Sequence, residues 1–225
     1  MTFVEIPTEQ TTAVTDAILG VAAVLASRHI WVLGARKSWR AKLWSSLFAL
    51  MAIAALLGAA AHGIKMANSV NAGLWIGLNL SLGLMVAVFV AAVVHDLFGE
   101  QLSHKILPWL SMVALVFWAV TWLYPDSFLV FILYETVAMM FALGGYLWLG
   151  LRGTLPGAWW MIGGVMVSIT AALLQATVVV KFRVIWHFDR NGIYHLVQLA
   201  GLVPFVIGLR QDLCDASRRN PSSNP

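Results

Sequence analysis

Seven long apolar stretches constrain the fold of this chain more than any other feature of its sequence. A helix needs about 20 predominantly apolar residues to cross the hydrocarbon core of a bilayer. Each stretch reaches that length, and each is too long for a strand of a membrane barrel. We therefore predict an all-α, polytopic membrane protein with seven transmembrane helices, which lie at roughly residues 13–35, 43–63, 72–94, 106–124, 127–150, 156–180 and 191–209.

The composition supports this prediction and excludes several classes of protein. The 225 residues are 60% hydrophobic and 11% charged, whereas soluble domains are about 25% charged. This difference excludes an ordinary soluble enzyme, a disordered chain and a nucleic-acid-binding protein. The single cysteine excludes a disulfide framework and a cysteine-based zinc site. We expect one transmembrane domain over residues 1–213 and a disordered cytoplasmic tail over residues 214–225.

The distribution of lysine and arginine predicts the orientation, because basic residues accumulate on the cytoplasmic side of a membrane. If the N-terminus lies outside, ten of the 14 basic residues are cytoplasmic, and the segment 36–42 contributes most to this bias. The remaining four are Lys65, Lys181, Arg183 and Arg190. We therefore predict an outside N-terminus and a cytoplasmic C-terminus, and we expect the protein to reside in a bacterial plasma (inner) membrane.

Polar side chains inside the predicted spans are the first place to look for function, because an unpaired polar group in hydrocarbon is costly. We counted about 1.5 Å per helical residue from the predicted outer end of each helix. Polar side chains from five helices then fall in one outer layer, and the inner half has fewer. We predict a polar pocket in the outer half of the bilayer, formed by His62, Asn79, Glu135, Gln175, His195 and Gln198.

Predicted helix 7 carries a polar stripe at its start. His187, Asn191, His195 and Gln198 are spaced four, four and three residues apart, so on a continuous helix they share one face less than about 80° wide. The stripe can be a polar helix start that forms hydrogen bonds with neighbouring helices. Alternatively, Asn191 and His195 contact a bound ion or ligand.

Glu135 is unusual because it lies about two turns inside a predicted span. A carboxyl group at this depth is rare unless it is paired, protonated or functional. The predicted spans contain no lysine or arginine at the same depth. Three alternatives follow: a protonated Glu135 that is hydrogen-bonded to a neighbour, a metal ligand, or a proton-transfer group.

Two histidines and one carboxylate in the same layer suggest metal chemistry. Neutral imidazole and carboxylate groups suit zinc, which keeps an open position for water in catalytic sites. The bound water can act as a nucleophile near neutral pH. We predict His62, His195 and Glu135 as zinc ligands, Asn191 and Asn79 as catalytic partners that orient water or substrate, and His187, Gln175 and Gln198 as further pocket residues.

Other polar residues have simpler interpretations. Asp16 is placed in the first turn of helix 1, where a carboxylate interacts favourably with the helix dipole. Thr12 or Thr15 is expected to cap that helix. The segment that contains His95 and Asp96 is expected to be a solvated inner loop between helices 3 and 4.

The motifs on predicted helices 2 and 7 resemble those of the alkaline ceramidase-like superfamily of seven-helix membrane hydrolases. Members typically carry Ser-x-x-x-His on helix 2, an Asp on helix 3 and His-x-x-x-His on helix 7, and their histidines bind zinc. The corresponding segments here are Gly58-x-x-x-His62 and Asn191-x-x-x-His195, and Asn79 is the nearest polar residue in the outer half of helix 3. The resemblance implies hydrolysis of an amide or related bond in a lipid.

Three functional hypotheses follow from these observations. The first is a membrane-embedded, metal-dependent hydrolase that acts on a membrane lipid or another amphipathic substrate. The second is a non-catalytic seven-helix protein that binds or senses a ligand in the same pocket. The third is a proton-coupled carrier that uses Glu135.

Overall fold

The computed structural model describes residues 2–35, 38–124, 128–177, 182–183 and 186–219. Within these ranges, seven helices are long and apolar enough to cross a membrane. This confirms the predicted fold class, and the chain is an integral membrane protein. The helices are α1 (Pro7–Ile30), α2 (Trp39–Gly63), α3 (Asn68–Phe98), α4 (Glu100–Thr121), α5 (Leu129–Leu151), α6 (Ala158–Thr177) and α7 (Arg190–Arg219).

Helix α1 begins earlier than the apolar pattern predicted. Pro7 occupies its first turn, and Ile6 precedes it in an extended conformation without a side-chain cap. The predicted caps at Thr12 and Thr15 are therefore wrong, because both residues lie inside the helix. Asp16 consequently lies in the third turn, about 14 Å along the helix axis, and it is buried.

Helices α3 and α7 extend further than predicted. Helix α3 continues to Phe98, so His95 and Asp96 belong to a helix and not to a solvated loop. Helix α7 continues to Arg219, past the predicted domain end at residue 213, and residues 220–225 of the predicted tail lie outside the described ranges. The side chains of Asp96 and Asp212, near these helix ends, are buried with Arg40 as their partner, which a hydropathy pattern does not reveal.

Short strand pairs mark the end of the bundle where the chain begins. Strand β1 (Thr2–Phe3) pairs with β2 (Ile64–Lys65), which joins α2 to α3. Strand β3 (Phe182–Arg183) pairs with β4 (His187–Phe188), which precedes α7. We call this the N-terminal end of the bundle, since α1, α3 and α7 start there and run to the opposite end.

Helix α1 has one exposed apolar face and one buried face that contains polar residues. Val14, Ile18, Val21 and Leu25 are exposed and follow one another at intervals of four, three and four residues, so they form a single apolar stripe. The opposite stripe is buried and includes small and polar residues. Since lipid is as apolar as these side chains, the exposed stripe is suited to contact acyl chains and the polar stripe to pack against other helices.

Small residues let α1 and α2 approach closely. A Cβ atom added to Gly20 would lie 2.9 Å from Leu56 Cγ. Nearer the opposite end, the Ser27 hydroxyl donates to the Ser45 carbonyl at 2.8 Å, and the Ser45 hydroxyl donates to the Ser27 carbonyl at 3.0 Å. Close packing and such interhelical hydrogen bonds are the main attractive forces between helices in lipid.

An aromatic layer lies in the half of the bundle nearer the opposite end and consists of Trp44, Phe48, Phe89 and Phe205. The Trp44 ring lies 5.8, 5.9 and 5.3 Å from the rings of Phe48, Phe89 and Phe205, respectively. All four side chains are buried. The aromatic layer therefore separates the polar groups of the N-terminal end from those of the opposite end.

Candidate functional site

A cavity of about 380 Å³ opens at the N-terminal end of the bundle. Helices α1, α2, α3, α5, α6 and α7 all contribute side chains to its wall. The polar wall residues come mainly from α1, α6 and α7, and most of the apolar ones come from α2, α3 and α5. The polar residues are Asp16, His62, Gln175, Arg190, Asn191, Tyr194, His195 and Gln198.

The polar residues of the wall all lie in the shallower part of the cavity, together with the apolar Phe128, Leu129 and Ile132. At about 1.5 Å per residue, Asn191 and His195 lie within the first 8 Å or so of α7, and Asp16 lies about 14 Å along α1. Leu19 is about 18 Å along α1, and Met85 is about 26 Å along α3. Because the deepest wall residues are apolar, the cavity is itself amphipathic.

Asp16 and His195 form the central polar pair of the cavity wall. The Asp16 Oδ1 atom lies 3.2 Å from His195 Nε2, and the other ring nitrogen, Nδ1, lies 3.3 Å from the Thr15 hydroxyl. The side chains of Asp16 and His195 are 6% and 12% exposed, respectively. Each ring nitrogen of His195 therefore has a protein oxygen as its neighbour.

The hydroxyl of Thr15 allows two arrangements of protons in this pair. It can donate to the carbonyl of Thr11 or Thr12 and accept from His195 Nδ1. Alternatively, it donates to Nδ1 while His195 Nε2 donates to Asp16. A histidine whose ring nitrogens are both engaged can exchange a proton between its neighbours without moving, which is a property of acid–base sites.

Gly58 gives Asp16 its position against α2. A Cβ atom added to Gly58 would lie 2.7 Å from Asp16 Oδ2, so the absence of a side chain provides the space that the carboxyl group occupies. Among the described contacts, Asp16 Oδ1 faces His195, and Asp16 Oδ2 has no hydrogen-bond partner. Oδ2 is consequently the oxygen of Asp16 that is available to a ligand.

His62 forms a second carboxylate–histidine pair on the wall. Its Nδ1 atom lies 2.6 Å from Glu9 Oε2, and its ring meets the ring of Trp75 edge-on at 5.4 Å. Glu9 and Asp16 both belong to α1, so this helix supplies a carboxylate to the predicted histidine of α2 and to that of α7.

Three other predicted residues also lie on the wall and form hydrogen bonds with each other or with residues of α6 and α7. Gln175 Nε2 donates to Asn191 Oδ1 at 3.3 Å. Gln198 accepts from the Ser168 hydroxyl at 3.1 Å and donates to the Tyr194 hydroxyl at 3.2 Å. Asp189 caps α7 by accepting from two backbone amides at 3.0 Å.

The remaining predicted residues do not line the cavity. His187 is exposed in strand β4, before α7 begins, so the stripe on α7 contains only Asn191, His195 and Gln198. Asn79 is half-buried on α3. Glu135 is 2% exposed and lies within electrostatic range of Tyr194, and its Oε2 has no hydrogen-bond partner among the described residues.

The described side chains do not form the three-ligand zinc site that the sequence predicted. His62 and His195 line the cavity, but both ring nitrogens of His195 already face protein oxygens, and Glu135 is not part of the wall. Across the part of the chain that the structure describes, no group of three or more His, Cys, Asp or Glu side chains is placed to hold a metal ion. The predicted set as arranged does not fit zinc, and zinc binding stays a prediction.

Sequence reasoning missed Asp16 and Glu9, although a signal was present. Glu9, Thr12 and Asp16 are three and four residues apart and share one helical face. Thr12 donates to Asp189 Oδ1 at 3.1 Å, so the whole face is directed at α2 and α7. The late predicted start of helix 1 hid this stripe, because it placed Glu9 and Thr12 outside the helix.

An ion-pair cluster lies at the opposite end of the bundle, where the sequence suggested few polar groups. Arg40 contacts Asp96 at 2.6 and 2.9 Å through two nitrogens and contacts Asp212 at 2.8 Å through a third. The Tyr146 hydroxyl donates to Asp96 at 3.1 Å, and the Gly157 amide donates to Asp212 at 2.7 Å. The cluster therefore links α2, α3, α5 and α7 and the residue before α6.

Comparison with known proteins gives one match. The model of a family of unknown function, DUF6962, matches residues 11–213. No curated protein and no solved structure matches the chain significantly. The matched segment includes Asp16, His62 and His195 but not Glu9.

Proposed function

The chain belongs to DUF6962, a family of unknown function, and for this member we propose that the cavity binds an amphipathic molecule from the membrane. The observation that carries the proposal is the change of its wall with depth. Polar groups of α1, α6 and α7 line part of the first half of the cavity, and Leu19, Met51 and Met85 line its deep end. Such a wall can hold a polar head near the mouth and an apolar tail toward the middle of the bilayer.

The proposal includes an orientation. The bias of basic residues toward the end opposite the cavity favours an outside N-terminus, so the cavity would open to the outer face of a bacterial plasma membrane. Replacing Cys214 with serine and introducing a single cysteine at the exposed Ser69 would test this. An impermeant maleimide should label Ser69→Cys in intact cells, whereas labelling only after lysis would reverse the orientation.

Filling the cavity tests the binding function. Ala54 is 4% exposed and lines the cavity, whereas its neighbour Ile53 is 48% exposed on the outside of the same helix. We expect Ala54→Phe to reduce the amount of lipid-like molecule that co-purifies with the protein, measured by native mass spectrometry, at least tenfold. Ile53→Phe should retain it. Equal retention in both variants would contradict the proposal.

Hydrolysis of the bound molecule is the second function that we propose, and the Asp16–His195 pair favours it. Asp16 Oδ2 would accept a proton from a water molecule while the water oxygen bonds to the substrate carbonyl carbon. The bond between the carbonyl carbon and the leaving alcohol or amine would then break as the leaving group takes up the proton, and His195 would hold Oδ1 throughout. A positioned acid–base group of this kind contributes about 10²–10⁴-fold to a rate.

Two substitutions separate binding from hydrolysis. Asp16→Asn and His195→Gln keep the approximate shape of the wall but change which protons the pair can donate and accept. If the protein is a hydrolase, both variants should retain a bound amphiphile and lose product formation from ester and amide lipids. If the wild-type protein releases no product from either class, the binding function alone remains.

The zinc-dependent form of this hydrolase has a direct test. Elemental analysis of the purified protein should show one zinc per chain if His62 and His195 hold the metal, and His62→Ala and His195→Ala should each remove it. Metal-free protein with an intact fold would favour a metal-independent site. Glu135, the third predicted ligand, would then have no role in holding a metal.

The carrier hypothesis receives less support from the fold. A carrier needs access to its site from both sides of the membrane in alternation, and the aromatic layer with the fully buried Trp44 and Phe48 closes the path below the cavity. Proton-coupled uptake that Glu135→Gln abolishes would nevertheless establish this third function. The measurement is uptake into proteoliposomes with an imposed proton gradient.

A further inference from the structure

We infer that the ligand of the cavity is a single-chain amphiphile with a neutral hydroxyl head, of which a long-chain alcohol is the simplest example. This inference rests on the proposed binding function and adds the chemical class of the ligand. Three observations lead to it: the volume of the cavity, the acceptor atoms on its wall and the balance of charges around its mouth.

The volume limits the ligand to one chain. A methylene group is close in size to a water molecule, which occupies about 30 Å³ in the liquid. The cavity of about 380 Å³ therefore holds about a dozen such groups. A two-chain lipid has several times that number, so only one of its chains could enter, and its head would remain outside the polar part of the wall.

The wall offers acceptors that need donors. Asp16 Oδ2 has no hydrogen-bond partner among the described contacts, and Gln175 Oε1 is buried without one. Gln175 uses its amide nitrogen on Asn191, so its remaining polar atom is an acceptor. A buried acceptor without a donor destabilises the protein, and a ligand hydroxyl group would supply the missing donor.

The charges around the head favour a neutral group. A carboxylate head would be attracted to the exposed Arg190 at the mouth but would meet Asp16. An ammonium head would be attracted to Asp16 but would meet Arg190. Glu9 is engaged with His62, and Asp189 is engaged as the cap of α7. A hydroxyl group can donate one hydrogen bond to Gln175 Oε1 or to Asp16 Oδ2 and introduces no charge.

Competition between two matched probes tests this inference. The full-length protein in nanodiscs is loaded with equal amounts of dodecan-1-ol and dodecyl methyl ether, which keeps the chain and the oxygen but has no donor. Native mass spectrometry then gives the ratio of the bound probes. We expect wild-type protein to prefer the alcohol about tenfold, which is the equivalent of one satisfied hydrogen bond.

A variant and its control identify the wall residue involved. Gln175→Leu should lower the preference for the alcohol severalfold, because the unpartnered acceptor is removed. Thr170→Val changes an exposed polar residue on the same helix and should leave the ratio unchanged. If Gln175→Leu does not fold, the wild-type ratio decides the matter alone.

Each of the other possible binding results would overturn a different part of the inference. Equal binding of alcohol and ether by the wild-type protein would overturn the hydroxyl assignment and leave the proposed binding function intact. Preferential retention of dodecanoic acid or dodecylamine would overturn the neutral head, and preferential retention of didodecanoylglycerol would overturn the single chain. Failure to retain any of the five probes would contradict the proposed binding function itself.

Discussion

The N-terminal and opposite ends of the bundle both bury charged side chains, but they satisfy them to different degrees. In the ion-pair cluster, both carboxylates contact Arg40, and they also accept from Tyr146 and the Gly157 amide. The 2.8 Å contact between Arg40 Nη1 and Asp212 Oδ2 is an ion pair without hydrogen-bond geometry. Around the cavity, Asp16 has one oxygen engaged, and Gln175 has an acceptor without a donor. The aromatic layer separates these two environments.

This difference indicates different roles. A buried polar network whose members have partners fixes the arrangement of the helices, whereas unsatisfied buried groups beside a cavity are retained at a cost to stability. We therefore assign the ion-pair cluster to structure and the cavity to ligand binding. Substitutions at the two ends should separate stability from binding, and four of them follow in order of expected effect.

Removing the guanidinium group of the ion-pair cluster should have the largest effect. Arg40→Met leaves Asp96 and Asp212 buried without their cation, which typically costs about 3–5 kcal/mol. The measurement is unfolding in detergent micelles, followed by circular dichroism. Arg28→Met, at an exposed position of α1, is the control and should not change stability. A cluster that tolerated Arg40→Met would lose its structural assignment.

Gly157→Ala should be the next most damaging substitution. Its Cβ atom would lie 2.4 Å from the Gly208 carbonyl oxygen and 2.7 Å from Asp212 Oδ2, so α6 and α7 would have to separate. Overpacking of this kind costs about 1–3 kcal/mol. Gly144→Ala places a Cβ atom with nothing within 4 Å and should leave the unfolding midpoint unchanged or slightly higher.

Gly58→Ala should affect binding more than stability. The added Cβ atom would displace the Asp16 carboxyl group, which can move into the cavity at a cost of about 1 kcal/mol. We expect retention of dodecan-1-ol to fall severalfold by native mass spectrometry. Gly73→Ala, in the first turns of α3 with open space around it, should retain the alcohol. Normal binding by Gly58→Ala would argue against a role for Asp16.

Glu135→Gln should have the smallest effect on stability. Glu135 Oε2 has no hydrogen-bond partner among the described residues, so exchanging this oxygen for an amide nitrogen should change the free energy of unfolding by less than about 1 kcal/mol. The same exchange at Asp96 removes a charge that contacts Arg40 and should cost several times more. If both variants lost a similar amount of stability, the carboxyl groups at the two ends would not differ in how fully they are hydrogen-bonded.

Much of the candidate site was predictable from the sequence. His62, Gln175, Asn191, His195 and Gln198 were predicted in one layer and do line one cavity. The depth of each residue follows from its position along a helix with a fixed rise per residue. Asn79 and Glu135 were predicted at suitable depths as well, but depth does not determine the direction of a side chain. His187 was predicted on the stripe of helix 7, but it precedes that helix.

The half of the bundle opposite the cavity contains partners that position along a helix does not predict. Arg40 and Asp96 are 56 residues apart, and Asp212 is much further along the chain, so no local pattern connects them. Hydropathy treats each of these charges as the end of a span. They are instead buried together, because the helices bring opposite charges within contact distance.

The sequence by itself determined that the chain crosses a membrane seven times, because the length and apolarity of each span are local properties. Only the tertiary structure decided which residues became partners: Asp16 with His195, Glu9 with His62, and Arg40 with Asp96 and Asp212. The physical reason is that lipid accepts any apolar helix face equally well. Lateral packing and the pairing of buried polar groups therefore decide which helix faces meet.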